Sequence, residues 1–142
     1  MSRGRSHYSA SYADLAIDRF RHWPLQACRA DCRPGRALAL DGLQIVHFHQ
    51  ADLAEVLLTR RVGCRLTATL AGSGRVDIRQ DADWAEVHLD TDGDLFLLES
   101  LVSLAIQAND PAHRPHRRAA ADCPHAKPKL RRRPRAAVVR GA

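Results

Sequence analysis

The chain has 142 residues with 22 Lys and Arg, 16 Asp and Glu, and a formal net charge of +6; this length suits one domain with a substantial core and is short for two. Residues 1–110 carry 12 basic and 15 acidic side chains, a net charge of −3, whereas residues 111–142 carry 10 basic side chains and 1 acidic side chain, a net charge of +9. The positive charge therefore belongs to the C-terminal end and does not indicate a nucleic-acid-binding fold.

Composition also argues against a membrane protein or a disulfide-rich protein. The sequence has no apolar run of the roughly 18 residues that a transmembrane helix needs, and MSRGRSHYSASY lacks the apolar centre of a signal peptide. We therefore expect a cytoplasmic protein whose cysteines are reduced thiols. The cysteines are Cys28, Cys32, Cys64 and Cys123.

The first predicted element follows a short polar leader. Residues 1–11 show no periodicity and are predicted to be disordered. A helix is expected from about Ser11 to the limit set by Pro24. Residues 25–35 are interpreted as a loop or a short, irregular strand.

The pair Asp41-Gly42 gives the strongest hairpin signal in the chain. It separates two alternating apolar runs, which predict strands at Arg36–Leu40 and Leu43–Gln50. A third strand is expected at Asp52–Leu58.

A second helix and two further strands follow. Thr59 is predicted to cap the helix, which ends before Gly72. The strands are expected at Arg75–Arg79 and Ala82–Leu89, joined by a polar turn.

The last helix is the most strongly patterned element. Thr91 and Asp94 predict a capping box at its start, and Asn109 and Pro111 predict its end. Apolar residues at three- and four-residue spacing predict one buried face. That face consists of Leu95, Leu98, Leu101, Val102, Ala105 and Ile106.

The order α-β-β-β-α-β-β-α predicts an α+β domain over residues 12–110, with a mostly antiparallel five-stranded sheet and helices packed on one face. Alternation along the last strand directs Trp84, Glu86 and His88 to the opposite, open face. Residues 111–142, rich in Pro and Arg, are predicted to form a disordered basic tail.

With these elements placed, the region from about Ala13 to Asn109 resembles the luciferase-domain family of small proteins. The resemblance rests on DGLQIVHFHQADLAEV, on DWAEVHL and on the helix ending LVSLAIQAN. The chain departs from the family pattern at Gln50, where family members commonly have Gly, and the basic tail lies outside the family region. The resemblance implies an uncharacterised activity and does not imply light emission.

His47 and His49 are the candidate metal ligands. They lie two residues apart on a strand, so both imidazoles project from one face, as two zinc ligands require. His88 is a candidate third ligand, with Glu86 or Asp52 as an oxygen donor. Alternatively, both histidines are ordinary hydrogen-bonded residues of the sheet.

Trp84, Glu86 and His88 combine an aromatic ring, an acid and an imidazole. Together with His47 and His49, they are candidates for binding a small organic ligand and moving a proton. The alternative is a Trp that covers the sheet edge beside two solvated side chains.

The cysteines do not form a recognisable zinc ribbon. Cys28 and Cys32 are spaced C-x3-C without a second paired knuckle, although Cys123 lies in the tail. Cys64 has no predicted neighbouring base and is not expected to be a nucleophile. We therefore expect buried or incidental thiols.

The tail contains the basic run KPKLRRRPR. This run is a candidate for salt-sensitive, non-specific binding of nucleic acid, or it is a solvated end without a partner. The candidate residues are Lys127, Lys129, Arg131, Arg132, Arg133 and Arg135.

The sequence contains none of the usual nucleotide-binding, hydrolase or zinc-protease motifs, and it therefore names no cofactor and no reaction. The first hypothesis is a luciferase-domain-like protein that binds a small molecule or a partner on the open sheet face. The alternatives are an enzyme of unknown reaction that uses the face of His47, His49, Glu86 and His88, and a nucleic-acid-associated protein that acts through its tail.

Overall fold

The computed structural model of the protein describes residues 10–32, 34–70, 72–78, 82–112 and 123. This part of the chain forms an α+β domain with a six-stranded antiparallel sheet and three α-helices. The helices are α1 (Tyr12–Arg19), α2 (Arg60–Leu70) and α3 (Asp92–Ala108), and a 3-10 turn at Phe20–His22 follows α1. The strands are β1 (Gln26–Arg29), β2 (Arg36–Leu40), β3 (Leu43–Gln50), β4 (Leu53–Leu57), β5 (Val76–Ile78) and β6 (Trp84–His88).

The α+β class and the antiparallel sheet are confirmed, but the prediction of five strands is wrong. The strands lie in the order β1-β2-β3-β4-β6-β5, and the additional strand is β1. All four residues of β1 are exposed, so the strand has no alternation of buried and exposed side chains for a sequence pattern to report. It joins the sheet by antiparallel pairing with β2.

The Asp41-Gly42 turn joins β2 to β3 as predicted. Both residues have positive φ angles, +48° and +82°, which is the backbone of a type I′ turn and matches the twist of the two strands. Leu40 pairs with Leu43 directly across it. The turn therefore fixes the register next to it, and an irregularity between Leu38 and Ala39 shifts the register by one residue before Ala37 pairs with His47.

The start of α2 differs from the prediction. Thr59 precedes the helix, but its φ of +73° lies in the left-handed region. The amide of Arg60 donates instead to Oδ1 of Asp83, at 3.0 Å. The cap therefore comes from the residue before β6, a contact that local sequence does not indicate.

The main core lies between α3 and the middle of the sheet. α3 packs against β3, β4 and β6, and α2 packs against β5 and β6. Five of the six residues predicted for the apolar face of α3 are buried, the exception being Ile106, which is partly exposed. The prediction that all helices lie on one face of the sheet stays a prediction.

A buried carboxylate ties the start of α3 to the start of β5. Asp94 accepts hydrogen bonds from Nε and Nη2 of Arg75 at 3.0 and 2.7 Å, and from the amides of Asp90 and Thr91 at 2.8 and 2.9 Å. The paired guanidinium, more than any other group, holds the pKa of Asp94 well below its usual range. Asp94 therefore completes the predicted capping box and joins two elements.

No helix in the described ranges is both long and apolar enough to cross a membrane. The predicted leader, apart from its last two residues, lies outside the described part of the chain. The predicted tail also lies outside it, except for residues 111, 112 and 123. The domain boundaries therefore stay predictions.

Asp94→Asn should lower the free energy of unfolding by about 2–3 kcal/mol, because it leaves Arg75 and two backbone amides with a weaker acceptor. The matched control is Asp90→Asn, since the Asp90 side chain contacts the same guanidinium but is 55% exposed. The control should cost no more than about 1 kcal/mol in chemical denaturation. Equal losses in the two variants would contradict the role assigned to Asp94.

The ion pair of Asp94 with Arg75 predicts that the free energy of unfolding depends on pH. Because the pKa of Asp94 is lower in the folded chain, its carboxylate contributes stability above the unfolded pKa of about 3.9, and this contribution is lost as the pH falls below that value. The stability of Asp94→Asn should therefore fall less steeply in acid than that of the unaltered chain.

Candidate metal centre

A row of directly paired residues crosses one face of the sheet. Paired residues of neighbouring strands share a face, so the register places six side chains on one side. These are Cys28, Ala37, His47, Glu55, Glu86 and Asp77, in order across the sheet. His47 and Glu55, at the centre of the row, are only 2% and 1% exposed. The centre of this face is therefore covered, although the sequence predicted it to be open.

Trp84 is part of that covered centre. It is 6% exposed, and its ring stacks on the imidazole of His47, with centroids 4.8 Å apart and planes inclined by 25°. The prediction that Trp84 lies on an open face is wrong in this respect. Alternation along β6 gives the side of the sheet, but it does not report what packs on that side.

Four potential metal ligands meet beside this stack. They are Cys32, His47, His49 and Cys123, and their ligand atoms all lie within 4.8 Å of one another. The Cys32 sulfur lies 3.4 Å from Nδ1 of His47 and 3.2 Å from Nε2 of His49. The Cys123 sulfur lies 3.1 Å from that of Cys32 and 3.6 Å from Nε2 of His49. Two sulfurs and two imidazole nitrogens thus form one compact group.

The loop between β1 and β2 brings Cys32 to the histidines. It passes so close to β3 that a Cβ on Gly35 would lie 2.6 Å from the carbonyl oxygen of Phe48 and 2.8 Å from Nδ1 of His49. Gly35 also has a φ of +149°, a backbone conformation that residues other than glycine rarely adopt. The glycine therefore permits the approach that places Cys32 over β3.

The hydrogen bonds of Gln44 determine the tautomer of His47. Nε2 of Gln44 donates to the carbonyl of Arg29 at 2.7 Å, and its Oε1 accepts from the amide of Asp31 at 3.0 Å. This fixes the orientation of the amide group, so the contact of 2.9 Å between Oε1 and Nε2 of His47 requires a proton on that nitrogen. The lone pair of Nδ1 therefore faces the Cys32 sulfur.

A backbone carbonyl determines the tautomer of His49 in the same way. Nδ1 of His49 lies 3.0 Å from the oxygen of Pro34, which can only accept a hydrogen bond. The proton is therefore on Nδ1, and the lone pair of Nε2 faces the two sulfurs. Hydrogen bonds from the second ring nitrogen to a carbonyl or amide oxygen are the usual support of metal-binding histidines.

The electrostatic environment keeps His47 neutral. The pKa of His47 is lowered from 6.5 to about 4, mainly by burial and also by the neighbouring His49, against a smaller rise caused by the carboxylate of Asp31. At neutral pH the imidazole is therefore in its neutral form, in which the unprotonated Nδ1 can bind a metal.

Most of the separations between the ligand atoms are close to those of a zinc site. A tetrahedral zinc ion, with Zn–S of about 2.3 Å and Zn–N of about 2.0 Å, holds its two sulfurs roughly 3.8 Å apart and each sulfur roughly 3.5 Å from each nitrogen. Three of the four sulfur–nitrogen distances, 3.2, 3.4 and 3.6 Å, fit this requirement, while the largest separations in the group extend to 4.8 Å and would have to shorten around a zinc ion. The sulfur–sulfur distance of 3.1 Å needs a widening of less than 1 Å. Two thiols and two imidazoles thus suit a four-coordinate zinc ion.

The remaining predicted site residues lie elsewhere. His88 contacts Oδ2 of Asp77 through Nε2 at 3.0 Å, and together with Glu86 it is absent from the group of four ligands. Asp52 is exposed at the turn before β4. The strand pattern predicts the two histidines, but no sequence pattern indicates Cys32 and Cys123 as their partners. The buried Glu55, whose Oε2 lies 4.0 Å from Nε2 of His49, is not indicated either.

Residues 42–105 match the family model described as the Luciferase domain, which confirms the predicted resemblance over that part of the chain. The matched segment contains His47, His49 and Trp84, and Cys32 and Cys123 lie outside it. No curated protein and no solved structure gives a significant match to the chain. The four-ligand group therefore combines residues of the matched segment with residues on either side of it.

Gly35→Ala should lower the free energy of unfolding by about 2–3 kcal/mol, because its Cβ would collide with backbone and with the His49 ring while the residue adopts an unfavourable φ. Gly74→Ala is the matched control, since Gly74 has a φ of +65° but a Cβ there would meet nothing within 4 Å. Thermal or chemical denaturation should give a loss of only about 1 kcal/mol for the control. Similar losses would show that the approach of the loop to β3 contributes little.

Proposed function

We propose that this protein binds one zinc ion per chain through Cys32, His47, His49 and Cys123, and that the bound ion stabilises the luciferase-domain fold. The observation that carries the proposal is the convergence of four ligand atoms within 4.8 Å, with each imidazole oriented by a hydrogen bond from its other nitrogen. Thiolate and imidazole ligands in a tetrahedral arrangement favour zinc over magnesium, calcium or manganese, which prefer oxygen ligands.

The ligand set supports a structural role. A catalytic zinc ion usually has three protein ligands and one position for water or substrate, whereas a structural zinc ion has four protein ligands. The side chains of His47 and His49 are each only 3% exposed, and Cys123 is 4% exposed. Three of the four ligands are thus buried and Cys32 is partly exposed, and four protein ligands leave no coordination position for a substrate on the metal.

A zinc ion in this position would connect three parts of the chain. Cys32 comes from the loop between β1 and β2, the histidines come from the central strand β3, and Cys123 lies beyond the end of α3. Metal binding free energy then becomes folding free energy, because the unfolded chain does not hold the four ligands together.

The other hypotheses from the sequence stay predictions. Binding of a small molecule or a partner on the face of Trp84 would require access to a ring that is 6% exposed. An enzymatic role for Glu86 and His88 would have to operate away from the four-ligand group. The basic run from Lys127 to Arg135, on which nucleic-acid binding would depend, lies outside the described residues.

Zinc content provides the direct test. The full-length chain, purified without chelator, should contain about one zinc ion per chain by elemental analysis, and Cys32→Ser should lose at least 90% of it because one of the four ligands is removed. Cys64→Ser is the matched control, because Cys64 is exposed on α2. A chain that remains metal-free after incubation with zinc would contradict the proposal, as would equal zinc contents in the two variants.

Stability provides a second readout of the same experiment. Zinc at 100 times its dissociation constant should add about 2.7 kcal/mol to the free energy of unfolding, which corresponds to a rise in Tm of about 10 °C or more for a domain of this size. In a Trp23→Phe background, Trp84 reports binding by fluorescence because its ring stacks on His47. Addition of zinc should change its emission in that background and should not do so in Cys32→Ser.

Gln44 should act as a positioning residue for the metal. Gln44→Leu removes the acceptor that holds the proton on Nε2 of His47, and it should weaken zinc binding about 10- to 100-fold, as other losses of ligand support do. Gln44→Glu keeps an acceptor for His47 and should retain most of the affinity. Competition with a chromogenic chelator measures both. Equal affinities for Gln44→Leu and the unaltered chain would remove Gln44 from the site.

A further inference from the structure

We infer that Cys32 and Cys123 form a redox-active pair, in which oxidation by hydrogen peroxide joins the two sulfurs as a disulfide and releases the zinc ion. The release of zinc rests on the proposed function, whereas formation of the disulfide depends only on the two thiols. Neither the sequence nor the family match assigns a redox role to these residues.

The distance between the sulfurs carries the inference. At 3.1 Å, they are closer than the roughly 3.8 Å of a tetrahedral zinc site and farther apart than the roughly 2.05 Å of a disulfide. Separating the sulfurs by less than 1 Å gives the sulfur–sulfur distance of a zinc site, and bringing them about 1 Å closer allows a covalent bond. The same pair of side chains thus suits two mutually exclusive states.

The exposures of the two cysteine residues indicate the order of the reaction. Cys32 is partly exposed, whereas Cys123 is buried, at 4% exposure. A small oxidant in solvent therefore reaches Cys32 first. Cys123, already in contact with Cys32, is positioned to resolve the oxidised sulfur before a second oxidant molecule arrives.

The chemistry balances with hydrogen peroxide as the oxidant. The Cys32 thiolate attacks one peroxide oxygen, the O–O bond breaks, and the products are a sulfenic acid on Cys32 and a hydroxide ion. The Cys123 thiolate then attacks the Cys32 sulfur, the S–O bond breaks, and a second hydroxide ion leaves as the S–S bond forms. The two thiolates lose one electron pair in total, which the peroxide gains, and both hydroxide ions take protons from solvent to become water.

Loss of the two thiolates accounts for release of the metal. The thiolate is the form of cysteine that binds metals, and the disulfide leaves only His47 and His49 as strong ligands. Reduction by a small thiol such as dithiothreitol or glutathione restores the four-ligand set by thiol–disulfide exchange. The site then alternates between a reduced, metal-bound state and an oxidised, metal-free state.

The test uses the full-length chain with Cys28→Ser and Cys64→Ser, so that Cys32 and Cys123 are the remaining cysteines. The zinc-loaded and zinc-free forms are each treated with hydrogen peroxide. A chromogenic chelator measures released zinc, and mass spectrometry without reduction identifies the sulfur products. We expect release of one zinc ion per chain, a chain lighter by two hydrogens than its reduced form, and a peptide that links Cys32 to Cys123. Dithiothreitol should reverse all three changes.

The outcomes separate the inference from the proposed function. Failure of the chain to take up zinc overturns the metal proposal and the release step, while a linked peptide from the zinc-free chain still supports the thiol pair. Zinc uptake followed by addition of oxygen to sulfur, without the linked peptide, overturns the redox pair alone. Survival of both thiols in excess peroxide also overturns it.

Cys123→Ser supplies the matched control for the resolving step. In this variant the sulfenic acid on Cys32 should persist and react with a cyclic 1,3-dione, at least 10-fold more than in the chain that retains Cys123. Equal labelling of the two chains would show that Cys123 does not resolve the oxidised Cys32.

Discussion

The contact on which the candidate site depends is the close approach of the loop at Pro34 and Gly35 to strand β3. The carbonyl oxygen of Pro34 accepts a hydrogen bond from Nδ1 of His49. The lack of a side chain on Gly35 allows the backbone to lie against Phe48 and the His49 ring. Cys32 reaches the histidines because it is part of the same loop. One backbone approach thus positions a ligand and the support of a second ligand together.

The burial of two histidines in a sheet requires a compensating set of polar partners. Each ring uses one nitrogen for a fixed oxygen acceptor and turns the other towards sulfur, so both nitrogens of both rings have polar neighbours. The family match contains the histidines and Trp84, whereas the sulfurs come from outside it. The matched segment therefore provides a buried imidazole pair, and the flanking residues of this chain add the two sulfurs that complete the candidate metal site.

The sequence predicted the elements with local signals and missed those that depend on distant contacts. β2 and β3 lie at the predicted bounds because an Asp-Gly turn joins them, and the Thr91–Asp94 capping box places the start of α3. The sequence left residues 25–35 as either a loop or an irregular strand because the residues of β1 are all exposed, and Asp83 was missed because it caps a helix 23 residues away.

The candidate site was also predictable only where a local pattern reports it. His47 and His49 share a face by the alternation of a strand, which two residues are enough to show. Their cysteine partners are set by the path of a loop and by residue 123, and neither follows from periodicity. The burial of Trp84 was missed for a related reason, since alternation defines a face but not the residues that cover it.

The separation of 91 residues between Cys32 and Cys123 determines when the site can form. Contacts between residues so far apart in sequence close a long loop and generally form late in folding. During synthesis, Cys32, His47 and His49 leave the ribosome well before Cys123 does, so a nascent chain holds only three of the four ligands. Tight coordination would therefore mark a chain whose sheet is already assembled, and the metal would consolidate the fold after its formation and would not initiate it.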